Sequence, residues 1–118
     1  MRTLNSPVHT AVGCVVLTLQ HDADGSTLSL TNTGQVPLRG ALVALRASQE
    51  VKAHPAQLRF GAIARGATTP PERIDLRFDR GLQQAVPAYA YPVYVLEFEV
   101  VIASPDERMT GALYISFQ

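Results

Sequence analysis

The groups in this chain able to do acid–base, nucleophilic or metal chemistry are few: three histidines, one cysteine and ten acidic residues. A Ser/His/Asp catalytic set needs a serine beside a histidine that a carboxylate orients, with backbone donors for the oxyanion. His9, His21 and His54 stand in a leading segment, a turn and a loop, and none lies in such a frame. His21-Asp-Ala-Asp-Gly25 has the closest spacing of nitrogen and oxygen ligands. A calcium-binding EF-hand loop requires further acids and a bidentate glutamate at its twelfth position, where this chain has Asn32. The same residues suit a tight Asp/Gly turn, and a turn is expected. Glu97 and Glu99 project from one face of a strand pattern, and paired carboxylates are the means of glycoside hydrolysis. On an alternating strand they fit cross-strand or surface pairs better. The expectation is therefore no catalytic residue, no metal ligand and no cofactor, in a protein that is not an enzyme.

The positioning elements must come from 118 residues, a length that suits one domain with a single core and no disulfide or metal staple. The formal net charge of +0 removes any general attraction for nucleic acid or for an anionic membrane. Lys52 is the only lysine among the basic residues, and the arginine bias follows from base composition or from planar ion pairs at interfaces. Cys14 has no partner for an internal disulfide, and it sits in an apolar run where a thiol packs as a small hydrophobe. Arg2 ahead of the run from Ala11 to Leu19 has the outline of a secretory leader. That run is short, Thr18 interrupts it, and a strand is expected instead. With Met1 in place no secretory cleavage is expected, and no apolar stretch approaches the ~20 residues that cross a bilayer. The compartment stays open between a virion and the cytoplasm.

Apolar alternation with period two recurs along the chain, and no segment is helical by period. Val12 to Gln20 places Val15, Leu17 and Leu19 on one face, and Ser26 to Asn32 presents Leu28 and Leu30 inward after the Asp/Gly turn. Arg39 to Ser48 sets Ala41, Val43, Leu45 and Ala47 on one face and reads as a central strand. His54-Pro55 breaks the next stretch, leaving Gln57 to Ile63 as a short edge strand. Glu72 to Asp79 points Ile74, Leu76 and Phe78 in. Pro92 to Ala103 points Tyr94, Leu96, Phe98, Val100 and Ile102 in, with Leu96 and Phe98 as core anchors. The last strand puts Met109, Gly111, Leu113, Ile115 and Phe117 on the core face. Residues 1–10 are expected as an N-terminal arm that contributes little to the core and crosses to a neighbouring subunit, ahead of a single domain over residues 11–118.

About seven strands separated by turn signals match an all-β, immunoglobulin-like antiparallel β-sandwich. Leu28-x-Leu-Thr-Asn-Thr-Gly-x-x-Pro-Leu-x-Gly-Ala-x-Val, Leu58-x-Phe-Gly-x-Ile-Ala-x-Gly66 and Val95-Leu-Glu-Phe-Glu-Val100 together resemble immunoglobulin-like modules of the kind found in bacterial cell-adhesion-type repeats and adaptor ear domains. The resemblance covers most of residues 12–117 and implies a fold. It carries over no functional residue, and the absence of tryptophan with a single cysteine excludes the antibody-type Cys…Trp…Cys core.

Two surfaces invite partners. Val86-Pro-Ala-Tyr-Ala-Tyr-Pro92 holds Tyr89 and Tyr91 between prolines, giving rigid amphipathic contacts, unless one of them folds back over the core end. The outward face of the last hairpin carries Val93, Val95, Val101, Ala112 and Tyr114, more apolar than a solvated face requires, so a cover is expected, by a partner in a larger assembly or, as the alternative, by residues 1–10 of the chain itself. The expected function is a structural or interaction module making protein contacts, with itself or with a lattice partner, in an assembly such as a virion or a phage decoration or tail component. The alternative is a surface module that recognises a glycan or other ligand through the tyrosine loop.

Overall fold

The computed structural model describes residues 2–10, 13–22, 24–78, 93–103 and 107–116. Nine strands form in chain order: β1 (Arg2–Thr10), β2 (Gly13–Asp22), β3 (Gly25–Asn32), β4 (Gly40–Arg46), β5 (Val51–His54), β6 (Gln57–Phe60), β7 (Glu72–Phe78), β8 (Val93–Ala103) and β9 (Glu107–Ser116). They make two antiparallel sheets, β1-β2-β3-β7-β5 and β6-β4-β8-β9, packed as a β-sandwich. Every strand expected from the alternation is present. The two additional strands, β1 and β5, raise the number above about seven.

Alternation dictates the core. Val15, Leu17 and Leu19 of β2 lie opposite Asn32, Leu30 and Leu28 of β3, so one face of this hairpin is almost wholly aliphatic. From the other sheet come Val43 and Leu45 of β4 and the inward series Tyr94, Leu96, Phe98, Val100 and Ile102 of β8, all buried. Each fully buried Leu or Phe contributes about 1.5–3 kcal/mol relative to exposure. Leu96 and Phe98 are both completely buried, as expected of core anchors. Phe117 lies outside the described residues. Ala47, expected inward, is exposed because β4 ends one residue earlier at Arg46.

Residues 2–10 are not an arm beside the sandwich. They pair with β2 along their whole length, from Arg2 opposite His21 to Thr10 opposite Gly13. Leu4, Ser6 and Val8 fall on the inner face, with Val8 only 5% exposed and Leu4 packed against the core. The apolar pair spaced by four residues, with a serine between, follows period two as well as any strand does. Pro7 in the middle is tolerated because β1 is an edge strand. β1 also closes one side of the sandwich, where Ser6 Oγ reaches the Ala112 carbonyl of β9 at 3.5 Å.

Two polar devices fix the loops. Asp22 Oδ1 accepts from the N–H groups of Asp24 (2.8 Å) and Gly25 (3.1 Å), and Gly25 has φ +141°, a value that L side chains rarely adopt. Asn32, buried at the end of β3, donates from Nδ2 to the Val36 carbonyl (2.9 Å) and the Ile63 carbonyl (3.2 Å). Its Oδ1 accepts from the Gly34 N–H at 3.0 Å. One amide thus ties together the loop after β3 and the loop after β6, both of which cross between the sheets.

Candidate interaction surface

Register assigns every outward side chain of the four-stranded sheet to a row that crosses it. After the Gly40–Ala103 pair at the β8 C-terminal end, the first row to cross all four strands runs Arg59, Leu42, Val101, Arg108 across β6, β4, β8 and β9. The next runs Gln57, Ala44, Glu99, Thr110, and a third runs Arg46, Glu97, Ala112 across β4, β8 and β9. Val95 then faces Tyr114, and Val93 faces Ser116. The same periodicity that buries Leu96 and Phe98 must turn Val93, Val95, Glu97, Glu99 and Val101 outward.

Val93 (47% exposed), Val95 (38%) and Tyr114 (64%) lie together at one end of this face. Val101 is on the same face but at the other end, half-buried beside Leu42. The outer face is therefore apolar at its two ends, as the alternation that sets Glu97 and Glu99 between Val95 and Val101 implies. Between its two apolar ends stands an ion-pair cluster. Glu99, with 18% of its side chain exposed, has Arg46 Nη2 3.5 Å from one carboxylate oxygen and Arg108 Nη1 3.5 Å from the other. Both arginines are well exposed, so each pair contributes no more than about 1 kcal/mol. Alternation within one strand reveals which side a residue faces. It does not reveal which cations of β4 and β9 flank it.

At the Val101 end Leu42, Val101, Arg59, Arg108 and Glu107 line an open depression of about 810 Å³. Gly61 borders it in open space, where a Cβ would meet no atom within 4 Å.

The chemistry-bearing residues are placed as follows. Glu97 and Glu99 occupy successive rows of the outer face, and Glu99 is held in its pairs. His21 points toward the core end, hydrogen-bonded to Ser26 Oγ and edge-on to the Phe78 ring at 5.9 Å between centroids. Phe78 in turn packs on Tyr94 at 5.0 Å. His54 is exposed at the end of β5, and His9 lies in β1. Among the described residues no group of three His, Cys, Asp or Glu side chains converges as a ligand set. Cys14 is half-buried on the outer face of β2. Tyr89 and Tyr91 lie outside the described residues.

Comparison with protein-family models, with curated proteins and with solved structures gives no significant match.

Proposed function

We propose that this chain is a non-enzymatic interaction module whose outer β6-β4-β8-β9 face makes protein–protein contacts, including contacts between copies of the chain, within a larger assembly. The observation that carries the reading is the cluster of Val93, Val95 and Tyr114, three large apolar side chains left exposed side by side on a regular sheet. A solvated sheet face normally places polar residues at such positions, and contiguous apolar patches mark interfaces. Tyrosine is well suited to such a contact because it buries a large ring at little entropic cost. A virion or phage decoration or tail component is the most concrete form of the proposal.

We also propose that the sandwich is immunoglobulin-like. β2-β3-β7-β5 facing β4-β8-β9 follows the spatial order of the ABED and CFG sheets, with β6 added at the CFG edge. The departures are the extra strand β1 and the chain order at the far edges, where β5 precedes β6.

The test is sedimentation of the wild type against Val95→Lys and Tyr114→Glu. The wild type should self-associate with rising concentration, and both variants should remain monomeric with unchanged melting midpoints, because an unpaired charge is tolerated in water and costly in a dry contact. A wild type that stays monomeric, or variants that associate normally, would remove the proposal.

A further inference from the structure

An open sandwich has four strand edges, and two of these are covered by each other while a third is capped at one end. β1 and β9 close on each other, with Ser6 bridging to Ala112. The edge of β5 is capped at its first residue by the preceding loop. There the Val51 N–H donates to Ser48 Oγ (3.1 Å) and the Val51 carbonyl accepts from the Ser48 N–H (2.9 Å). β6 ends the four-stranded sheet with no such cover among the described residues.

The polarity of that edge follows from the ladder. The Leu45 N–H donates to the Ala56 carbonyl at 2.7 Å, so Leu45 and Ala56 form a hydrogen-bonded pair. Antiparallel pairs alternate, which makes Val43 with Leu58 and Ala41 with Phe60 bonded pairs too. Gln57 and Arg59 are then the residues whose N–H and C=O groups point away from β4 toward the open side. Neither backbone has a partner there among the described residues. Both side chains are exposed, and Arg59 has no ion-pair partner among the described residues. The segment from Val51 to Phe60 carries Lys52, His54 and Arg59 and no acid, and Lys52 likewise lacks an ion-pair partner among the described residues.

We infer that β6 is an addition site for an extended acidic segment of a partner protein. The incoming strand would hydrogen-bond to the outward backbone groups of Gln57 and Arg59 and set a carboxylate against the Arg59 guanidinium. Main-chain bonds give such a contact its affinity, and the side chain beside Arg59 gives it specificity. A protein strand is favoured over a soluble anion because the open edge presents alternating donors and acceptors that only another backbone matches. The inference rests on the reading of this chain as a protein-contact module and places a second contact at the sheet edge, apart from Val93, Val95 and Tyr114.

The experiment follows backbone amides by NMR while a short peptide alternating glutamate and valine is titrated into the full chain, with a lysine–valine peptide as the counterpart. The glutamate peptide should shift the amides of Gln57, Arg59 and their neighbours in a saturable way. Arg59→Glu should weaken it about tenfold or more and reverse the preference toward the lysine peptide. Gln57→Pro removes an outward N–H without touching the β4 ladder, and it should weaken both peptides while the β4–β6 amides keep their positions. Equal binding of the two peptides to the wild type, or no shifts at β6, overturns the inference. Loss of self-association in Val95→Lys alongside silent β6 amides would refute the edge site alone. Saturable β6 shifts in a chain that never self-associates would refute the sheet-face contact alone.

Discussion

Gly111 to alanine is a change of one methyl group whose outcome depends on which of two opposing effects wins. In a strand, alanine gains roughly 0.5–1 kcal/mol over glycine from the lower entropy of the unfolded chain. Against this, a Cβ on Gly111 would lie 2.6 Å from Phe98 Cζ and 3.1 Å from each Cε. Gly111 faces Phe98 directly in the β8–β9 ladder, and the ring is fully buried, so it has nowhere to retreat without disturbing its neighbours. Overpacking of this kind costs about 1–3 kcal/mol. The clash outweighs the entropic gain, and Gly111→Ala should lose about 1–2 kcal/mol. Urea unfolding, with the slope held to its wild-type value, measures the change. Phe98→Leu shortens the side chain at the point of contact and supplies the control. Alone it should destabilise, but the double variant should be less destabilised than the sum by about 1 kcal/mol or more, the size expected of contacting residues. A Gly111→Ala protein as stable as wild type, or strict additivity in the cycle, would refute the packing of Phe98 against Gly111 across the β8–β9 ladder.

Phe98→Ala should cost ~3–5 kcal/mol, a large part of the ~5–15 kcal/mol stability of a domain, and a thermal melt with an unchanged midpoint would place Phe98 outside the core. Asn32→Ala removes three hydrogen bonds and leaves two carbonyls and an N–H without that partner; a loss of about 2–4 kcal/mol in chemical denaturation is expected. Deleting residues 1–9 strips β1 from β2 and removes the buried Val8, so the midpoint should fall by an amount equivalent to about 3 kcal/mol, and a truncated chain with wild-type stability would show that β1 adds nothing to the fold. Glu99→Gln should change stability by no more than about 2 kcal/mol, up to about 1 for each of its two solvated arginine pairs, as urea unfolding would measure.

Strand faces were legible from single segments because burial follows period two, and the inward series from Tyr94 to Ile102 matches the structure at every position. β1 was obscured by Ser6 and Pro7, which dilute the alternation of Leu4 and Val8 until pairing with β2 restores it. β5 is four residues long with one buried apolar side chain, Val51, too little pattern to separate it from a loop. The outward direction of Val93, Val95, Val101 and Tyr114 was also readable. The carboxylates dividing that face, Glu97 and Glu99, were readable too, but their cation partners were not, because the Arg46–Glu99–Arg108 cluster is assembled across three strands whose order no single segment encodes. The open edge at Gln57 and Arg59 depends likewise on sheet order and on the phase of the hydrogen-bond ladder. A short strand at Gln57 to Ile63 was expected at an edge, but nothing local to it shows which of its backbone groups face outward.

The central claim, that the Val93–Val95–Tyr114 end of the outer face becomes dry in a protein contact, can be read directly at one of its residues. The chain contains no tryptophan, so Tyr114→Trp provides a single emitter at the most exposed position of the patch. As the concentration rises through the range where sedimentation detects association, its emission should shift to the blue and become protected from an aqueous quencher, while the same change in a Val95→Lys background should leave it solvent-like throughout. Emission that stays water-exposed while the protein associates would contradict the account and place the contact elsewhere on the molecule.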